Sequence, residues 1–194
     1  MKHYSVLKNE AIDGLMIKDD GVYVDATVGY AGHSSEILQK IKRGYLYAFD
    51  ADKQAVDYSS EYLSTISDNF KIFNTNFCNM KEVLENEGVS LVDGIIFDLG
   101  FSSPQIDDEK RGFSFMHDAP LDMRMSQNGK TAKDIIDSYS YNELCDIFFK
   151  YGEEKRSKDI ASKIVSQKDN INTTLELVEV IKSAVGANYF YKTH

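Results

Sequence analysis

The fold is decided by the stretch Val24-Asp25-Ala26-Thr27-Val28-Gly29-Tyr30-Ala31-Gly32-His33-Ser34, which is followed by Tyr45-Leu46-Tyr47-Ala48-Phe49-Asp50. This pattern predicts a β-strand, a glycine-containing turn, an α-helix and a second strand that ends in a carboxylate. Gly29 and Gly32 allow a sharp turn and a close approach of the backbone to a ligand. Asp50, about 20 residues beyond the turn, can accept hydrogen bonds from both hydroxyls of a ribose.

The glycine spacing argues against a dinucleotide ligand. A dinucleotide fingerprint, Gly-x-Gly-x-x-Gly, requires glycines where Ala31 and Ser34 stand. The turn is therefore not built to place a pyrophosphate at a helix N-terminus. This argues against a nicotinamide-dependent oxidoreductase, which we keep only behind the hypotheses given below. A ligand with a ribose but no phosphates, such as S-adenosylmethionine, suits the turn better. The alternative is an ordinary βα turn that binds no ligand.

The first half of the sequence alternates short β-rich runs with helical patterns, which is typical of a parallel sheet with crossover helices. The predicted strands lie at 22–27, 45–50, 71–76 and 92–98, and the predicted helices at 5–15, 33–42, 52–65 and 79–87. Right-handed crossovers give these strands the order 3-2-1-4. The apolar run from Val92 to Phe97 predicts an interior strand that is buried on both faces. Because no further strand follows, the fourth strand would present an open edge, so that either the helical segment covers it, a second copy of the chain does, or the chain is a piece of a longer protein.

The pattern of residue types changes after Gly100. Residues 100–130 contain both prolines and show no clear periodicity, and a segment of this kind is usually functional. Beyond Lys130 the pattern predicts helices at 131–138, 140–150, 153–167 and 174–185. Their expected N-caps are Thr131, Ser140 and Thr173, the last of which matches a capping box with Glu176.

Charge and composition limit the classes of partner. The chain has 194 residues and a formal net charge of -9, which opposes binding to a polyanion unless basic residues gather on one face. Arg111 and Arg124 flank a glycine-containing loop. A second basic group consists of Lys150, Lys155, Arg156, Lys158 and Lys163. Such groups are more often solvated helix faces than binding patches.

Cysteine, histidine and apolar patterns suggest neither a metal nor a membrane. Cys78 and Cys145 lie far apart, and the histidines are scattered without the spacing of metal ligands. No apolar run approaches the length that spans a bilayer. We therefore expect a cytoplasmic protein with no metal site and no membrane partner.

The candidate binding residues lie at the predicted strand ends, where sheets of this kind bind ligands. Asp50 is the candidate for the ribose, whereas Asp25 and Asp98 could meet either the amino-acid portion of the ligand or structural backbone groups. Phe77 could pack on an adenine face, although an aromatic residue at a strand end is more often part of the core. His33 could reach the ligand or cap the neighbouring backbone.

Several motifs together carry a resemblance to one family. They are Asp25-Ala26-Thr27-Val28-Gly29, Ala31-Gly32-His33-Ser34, Asp50-Ala51-Asp52, Asn76-Phe77, Asp93-Gly94-Ile95-Ile96-Phe97-Asp98-Leu99-Gly100-Phe101-Ser102-Ser103-Pro104-Gln105-Ile106-Asp107, Arg111-Gly112-Phe113-Ser114-Phe115, Leu121-Asp122-Met123-Arg124-Met125, Tyr151-Gly152-Glu153-Glu154 and Ile160-Ala161. With them the sequence resembles the S-adenosylmethionine-dependent small-subunit ribosomal RNA cytosine-N4 methyltransferases. The resemblance spans nearly the whole chain.

The resemblance implies a Rossmann-like class I methyltransferase sheet in the α/β class, incomplete and ordered 3-2-1-4, with an inserted helical domain. It implies a partial S-adenosylmethionine-binding domain at 1–105, an active-site loop region at 106–130 and a helical substrate-recognition domain at 131–194. The implied cofactor-binding residues are Ala31, Gly32, His33, Asp50, Phe77, Asp98 and Gln105. The implied substrate is a cytosine of 16S ribosomal RNA, met as RNA or as the 30S particle.

The implied chemistry gives Asp98 a second role. The exocyclic amine of cytosine is a poor nucleophile because its lone pair is delocalised into the ring. A hydrogen-bond acceptor that pulls on the amine N–H helps, and Asp98 or a backbone carbonyl in Leu99-Gly100-Phe101 could provide it. We therefore take Asp98 as the candidate catalytic residue.

The sequence departs from the family in two side chains and in length. Tyr30 stands where a small or basic residue is common, and Phe101 where valine is usual; both are expected to face the cofactor pocket. The family continues with a His-Pro-Ala segment and further strands, whereas this sequence ends at Lys192-Thr193-His194. We therefore expect an N-terminal fragment that binds the cofactor but transfers methyl groups weakly or not at all. The alternative is a noncatalytic nucleoside- or RNA-binding module derived from the family.

Overall fold

The computed structural model describes residues 7–193, which divide into two compact units. The first unit comprises the residues up to Ser102 together with Met125–Gln127. The second comprises Ser103–Arg124 and the residues from Asn128 onward. The functions expected for 1–105, 106–130 and 131–194 stay predictions.

A four-stranded parallel sheet forms the centre of the first unit. Its strands are β1 (Val22–Asp25), β2 (Tyr45–Asp50), β3 (Phe70–Asn74) and β4 (Gly94–Ile96). Their order is β3-β2-β1-β4, which confirms the predicted order 3-2-1-4 and the α/β fold class. In the register of the sheet, Val24 of β1 pairs with Tyr47 of β2 and with Ile95 of β4.

Four helices of the first unit were predicted and are present. They are α1 (Lys8–Gly14), α2 (Gly32–Lys40), α3 (Lys53–Ser64) and α4 (Met80–Asn86), the last preceded by a 3₁₀ turn at Phe77–Asn79. Asp52 caps α3, since its side chain accepts a hydrogen bond from the backbone N–H of Gln54. The predicted first helix also included residues 5 and 6, which lie outside the described residues.

The two faces of the sheet are covered unequally. One face buries side chains of β1 and β2 against α1, α2 and α3. This cluster includes Ile12, Tyr23, Ile37, Leu38, Leu46, Ala48 and Leu63. On the opposite face, Val24 and Phe49 pack against Leu84 of α4. Burial on this second face is therefore concentrated at the centre of the sheet.

The fourth strand lies at the edge of the sheet, so the prediction of an interior strand buried on both faces is wrong. Ile96 is buried, but Ile95 and Phe97 are 39% and 46% exposed. Ile95 and Phe97 lie on the face of the sheet that carries the small cluster of Val24, Phe49 and Leu84, and Ile95 is not part of that cluster. The apolar run predicted burial on both faces, but the small cluster on this face lies at the centre of the sheet. The predicted strand order, with the fourth strand at one edge, is confirmed for the described sheet.

The strand β4 is shorter than the predicted 92–98, and side-chain hydrogen bonds flank both of its ends. At its start, the carboxylate of Asp93 accepts hydrogen bonds from the Val22 N–H (2.9 Å) and from Lys18 Nζ (2.9 Å). At its end, the Asp98 N–H donates to Thr27 Oγ1 over 2.7 Å. The second bond directs the chain at Asp98 toward the turn that follows β1.

The second unit consists of short helices around one apolar cluster. The helices are α5 (Ser103–Asp107), α6 (Ala132–Ser138), α7 (Tyr141–Lys150), α8 (Ser157–Gln167), α9 (Thr174–Val185) and α10 (Ala187–Thr193), with 3₁₀ turns at Glu109–Arg111 and Lys168–Asn170. The cluster includes Leu121, Leu144, Ile164 and Ile171, each at most 2% exposed. None of the helices in the described part of the chain is long and apolar enough to cross a bilayer.

The predicted N-caps Thr131, Ser140 and Thr173 are confirmed, and each forms a capping box with the acid three residues later. The helix α8 begins at Ser157 rather than at residue 153, because Glu153 has a left-handed φ of 50°. The helices α5 and α10 were not predicted. In α5, Pro104 was taken as a loop signal, although proline fits the first turn of a helix.

Candidate functional site

The predicted ligand-binding acids lie at the carboxyl edge of the sheet. Asp25 and Asp50 are the last residues of β1 and β2. Asp98 follows the end of β4, and Phe77 begins the 3₁₀ turn that follows β3. In a parallel sheet these positions share one edge, which is where such sheets bind ligands.

The turn between β1 and α2 is held by hydrogen bonds to both polar backbone groups of Gly29. Its N–H donates to Asp50 Oδ2 over 2.8 Å, and its carbonyl accepts from Ser59 Oγ over 2.6 Å. Gly29 and Ala31 both have left-handed φ values, of 49° and 62°. Because Ala31 carries a Cβ, this conformation costs about 1–2 kcal/mol and is maintained by the surrounding bonds. The turn is therefore rigid where α2 begins at Gly32.

Asp50 combines a structural role with remaining capacity for a ligand. Its Oδ1 accepts a hydrogen bond from the Asp52 N–H over 2.8 Å, and its Oδ2 accepts from Gly29. An ionised carboxylate has about four acceptor sites, so acceptor capacity remains beyond these bonds. Burial raises the pKa of Asp50, while the backbone hydrogen bonds from Asp52 and Gly29 oppose that shift. A ribose diol can thus be accepted without breaking the contacts that fix the turn.

Asp25 is a structural acid, which decides between the two alternatives that the sequence left open. Its Oδ2 accepts from Ser34 Oγ over 2.6 Å, and its Oδ1 accepts from the Thr27 N–H over 3.1 Å. The side chain is buried, and burial raises the pKa of Asp25 against the opposing effect of these bonds. The carboxylate therefore joins the end of β1 to the first turn of α2.

We expect Asp25→Asn to flatten the pH dependence of folding stability. Because burial raises the folded-state pKa of Asp25 above its ordinary value of 3.8, the folded chain binds this proton more tightly than the unfolded chain. The free energy of unfolding should therefore fall as the pH rises through 3.8 toward the higher folded-state pKa. Urea unfolding from about pH 4 to pH 7 measures this slope. The exposed acid variant Asp68→Asn is the control, and parallel profiles for wild type and Asp25→Asn would contradict the expectation.

Asp98 and His33 lie side by side at the same edge. His33 Nδ1 is 3.7 Å from Asp98 Oδ2. The imidazole is buried, whereas the Asp98 side chain is 43% exposed. Thr27 fixes the Asp98 backbone through the bond to its N–H. The carboxylate thus has a fixed origin and an accessible side, which is the arrangement that a hydrogen-bond acceptor for a ligand needs.

Phe77 is not a core residue in this structure. Its ring is 37% exposed and meets the ring of Phe97 edge to face, with the centroids 5.5 Å apart. The two rings form an accessible apolar surface at the strand ends. Tyr30 and Phe101 were both expected to face the pocket. The ring of Tyr30 packs against Tyr58 of α3 with the centroids 5.0 Å apart, and Phe101 is exposed.

The remaining predicted cofactor residue, Gln105, lies in α5 of the second unit and is buried there. Within that unit, residues 106–124 are held by hydrogen bonds. Arg111 donates from Nη2 to the Arg124 carbonyl over 2.9 Å, and Arg124 pairs with Asp122 over 2.6 Å. Thr174 Oγ1 donates to the His117 carbonyl over 2.7 Å and so ties the segment to the start of α9.

The basic residues that the sequence grouped together are partly neutralised. Lys150 pairs with Asp146 over 2.6 Å, and Arg156 pairs with Asp159 over 2.8 Å. Arg156 also donates from Nη1 to the carbonyl of Val185 over 2.7 Å. These contacts support the interpretation of this group as a charged helix surface.

Four residues that shape the site received no role from the sequence. They are Thr27, Ser34, Ser59 and Phe97. One signal could have identified Ser59, because it is a small polar residue between Ala55 and Leu63 on the buried face of α3. The others depend on contacts between separate strands and helices, which spacing along the chain does not reveal.

Comparison with known proteins places the chain among methylases. The model of the MraW methylase family matches residues 1–194. The chain is 53% identical over 186 residues to Ribosomal RNA small subunit methyltransferase H of Mycoplasma mycoides subsp. mycoides SC, covering 95% of this chain and 60% of that protein. It is 48% identical over 190 residues to the protein of the same name from Limosilactobacillus fermentum, with coverages of 95% and 60%. The chain thus spans about 60% of the length of these curated relatives.

Among solved structures, an rRNA methylase from Streptococcus thermophilus matches with 23% identity and a TM-score of 0.41, over 52% of this chain and 57% of that one. The family match over residues 1–194 and the identities of 53% and 48% to the curated relatives assign the chain to its family. The chain belongs to the MraW methylase family.

Proposed function

We propose that this chain is the donor-binding part of an S-adenosylmethionine-dependent methyltransferase that acts in the cytoplasm on 16S ribosomal RNA. One observation carries the proposal: Asp50 ends β2 with its carboxylate bonded to the Gly29 N–H and still able to accept a ribose diol. Family membership and the names of the relatives support the RNA substrate. The finer assignment, the exocyclic N4 amine of a cytosine, rests on the family resemblance.

The proposed donor site uses seven residues. Ala31, Gly32 and His33 form the turn and the first turn of α2, Asp50 accepts the ribose hydroxyls, and Phe77 packs on the adenine. Asp98 and Gln105 are assigned to the methionine end, the latter on the resemblance alone. When bound there, S-adenosylmethionine supplies a methyl group that its sulfonium already activates. The fit is supported by the accessible side chain of Phe77 at the strand ends.

In the proposed reaction this chain positions the attacking nitrogen and excludes water from the site. The attacking nitrogen must lie in line with the bond to be broken, and a rigid turn lowers the entropic cost of that alignment. Asp98 accepts a hydrogen bond from the amine N–H, which raises the electron density on the nitrogen. Its accessible carboxylate and its fixed backbone suit this role. A target base has to leave its stack to reach such a site, which favours an unpaired nucleotide.

The test separates binding from transfer. Isothermal titration calorimetry with S-adenosylmethionine and S-adenosylhomocysteine should show binding of both, and failure to bind either would reject the donor site. Labelled donor mixed with 30S particles or 16S RNA then measures transfer. Binding with no transfer would favour the alternative, a noncatalytic nucleoside- or RNA-binding module. Asp98→Asn should lower the rate of methyl transfer more than it lowers the affinity for S-adenosylmethionine, because Asp98 accepts the hydrogen bond from the amine during the reaction.

A second copy of the chain is the proposed partner of the β4 edge. Ile96 uses its carbonyl for the Ala26 N–H of β1, and in a parallel ladder the peptide groups of alternating residues point to opposite sides. Those of Ile95 and Phe97 are thus directed to the free edge, beside exposed apolar side chains. Light scattering should show a mass that rises with concentration. Ile95→Lys should suppress this rise and Leu91→Lys, outside the strand, should not; a strict monomer at high concentration would contradict the proposal.

A further inference from the structure

Three tyrosines form a continuous aromatic row beside the turn of the first unit. Tyr30 lies in the turn, and Tyr58 and Tyr62 lie one helical turn apart on α3. Ring centroids are 5.0 Å apart between Tyr30 and Tyr58 and 6.2 Å apart between Tyr58 and Tyr62. Tyr58 and Tyr62 are 50% and 41% exposed, while Ser59 and Leu63 form part of the buried face of the same helix. The row, which we call the tyrosine row, is therefore a surface feature and not part of the core.

A carboxylate lies within the same helix face. Glu61 is exposed, precedes Tyr62 and is three residues from Tyr58, a spacing that makes helical side chains neighbours. Asp57 lies on the same side, but Lys53 pairs with it over 2.7 Å. The charge of Asp57 is thus offset, and Glu61 gives the tyrosine row its net negative charge.

This combination selects a flat cation. A guanidinium stacks on aromatic faces and forms paired hydrogen bonds with a carboxylate, whereas an ammonium group is compact and strongly hydrated. A nucleic-acid base also stacks on tyrosine, but its phosphates would meet Glu61 and a chain with a net charge of -9. Charge complementarity therefore favours a polypeptide over RNA.

We propose that the tyrosine row and Glu61 form a docking site for an arginine-rich segment of a partner protein. An arginine side chain stacks on Tyr58 or Tyr62 and pairs with Glu61. Tyrosine suits such a contact because it contributes a large contact area at low entropic cost. Binding here uses none of the side chains assigned to the methyl donor. Failure of the donor site and failure of this site are consequently separate results.

The test measures binding of a fluorescent oligoarginine peptide to the full chain by anisotropy at physiological ionic strength, where long-range attraction is screened. The oligoarginine should bind more tightly than an oligolysine of the same length and than an oligouridylate. Tyr58→Ala, Tyr62→Ala and Glu61→Gln should each weaken oligoarginine binding by about tenfold. Tyr58→Phe keeps the ring and should retain most of the affinity.

The matched control is Glu82→Gln, which removes the same charge from an exposed position on α4. It should leave oligoarginine binding unchanged. If Glu61→Gln and Glu82→Gln lower the affinity for oligoarginine equally and Tyr62→Ala has no effect, the peptide is attracted by the overall negative charge of the chain. That result would overturn the proposal. Tighter binding of oligouridylate that depends on Tyr58 would assign the tyrosine row to RNA and also overturn it. Urea midpoints establish that each variant is folded, and Tyr58→Phe with Glu61→Gln decides the matter if an alanine variant is not.

Discussion

Asp50→Ala is expected to weaken S-adenosylmethionine binding by about a hundredfold or more. The carboxylate is proposed to accept hydrogen bonds from both ribose hydroxyls, and each bond to a charged group contributes about 1.5–3 kcal/mol. Two such bonds amount to at least about 3 kcal/mol, which corresponds to more than a hundredfold in affinity. Calorimetric titration with S-adenosylmethionine and S-adenosylhomocysteine measures the loss, and equal losses for both ligands would locate the effect at the shared adenosine.

A second variant separates the ligand contact from the shape of the turn. Asp50 also accepts the Gly29 N–H, so its removal loosens the turn as well. Ser59→Ala removes the other bond to Gly29, at its carbonyl, and leaves the carboxylate in place. It should reduce stability by about 1 kcal/mol and change ligand affinity far less than Asp50→Ala. Similar affinity losses in the two variants would show that turn geometry and not ribose recognition is responsible, and wild-type affinity in Asp50→Ala would reject the assignment.

Gly112→Ala is expected to destabilise the second unit strongly. A Cβ at this position would lie 2.2 Å from the carbonyl oxygen of Pro120, and the glycine has a left-handed φ of 67°. Both obstacles are backbone, so no side chain can move to relieve them. The left-handed conformation costs about 1–2 kcal/mol and the overlap typically about 1–3 kcal/mol. The sum, about 2–5 kcal/mol, is a large part of the stability of an ordinary domain.

Hydrogen exchange read by mass spectrometry can assign this loss to one unit. The Leu121 N–H donates to the Asn172 carbonyl over 3.3 Å, so displacement at Pro120 should reach the start of α9. Peptides from α9 should therefore exchange faster in Gly112→Ala, while peptides from β2 should change little. Gly14→Ala is the control, because no atom lies within 4 Å of its ideal Cβ at the end of α1. Unchanged exchange in α9 would show that the loop accommodates the Cβ.

Local patterns in the sequence predicted the parts of the fold that depend on neighbours along the chain. The alternation of strands and helices predicted the order 3-2-1-4, and the N-caps at Thr131, Ser140 and Thr173 follow from one side chain and the next turn of backbone. The position of Asp50 at the end of β2 belongs to the same class. The N-caps and the position of Asp50 are set by single segments, whereas the strand order follows from the right-handed crossovers between successive parallel strands.

The sequence did not reveal how far a strand is covered by elements that are distant along the chain. The apolar run at Ile95 and Phe97 predicted an interior strand, but burial requires a covering element and the helices cover the centre of the sheet. The helix α5 was missed for a different reason, since Pro104 is compatible with both a loop and a helix start. In both cases the residue types permit two structures, and packing selects one.

The residues alone were enough to predict the family, the strand order and a carboxylate at the end of β2. The bond between Asp25 and Ser34, the bond between Ser59 and Gly29, and the contact of Tyr30 with α3 become visible only once the chain is folded. The physical reason is one of range. Helix and strand patterns arise from interactions between residues a few positions apart, whereas the role of a polar or aromatic side chain depends on the partners that folding brings to it from distant segments.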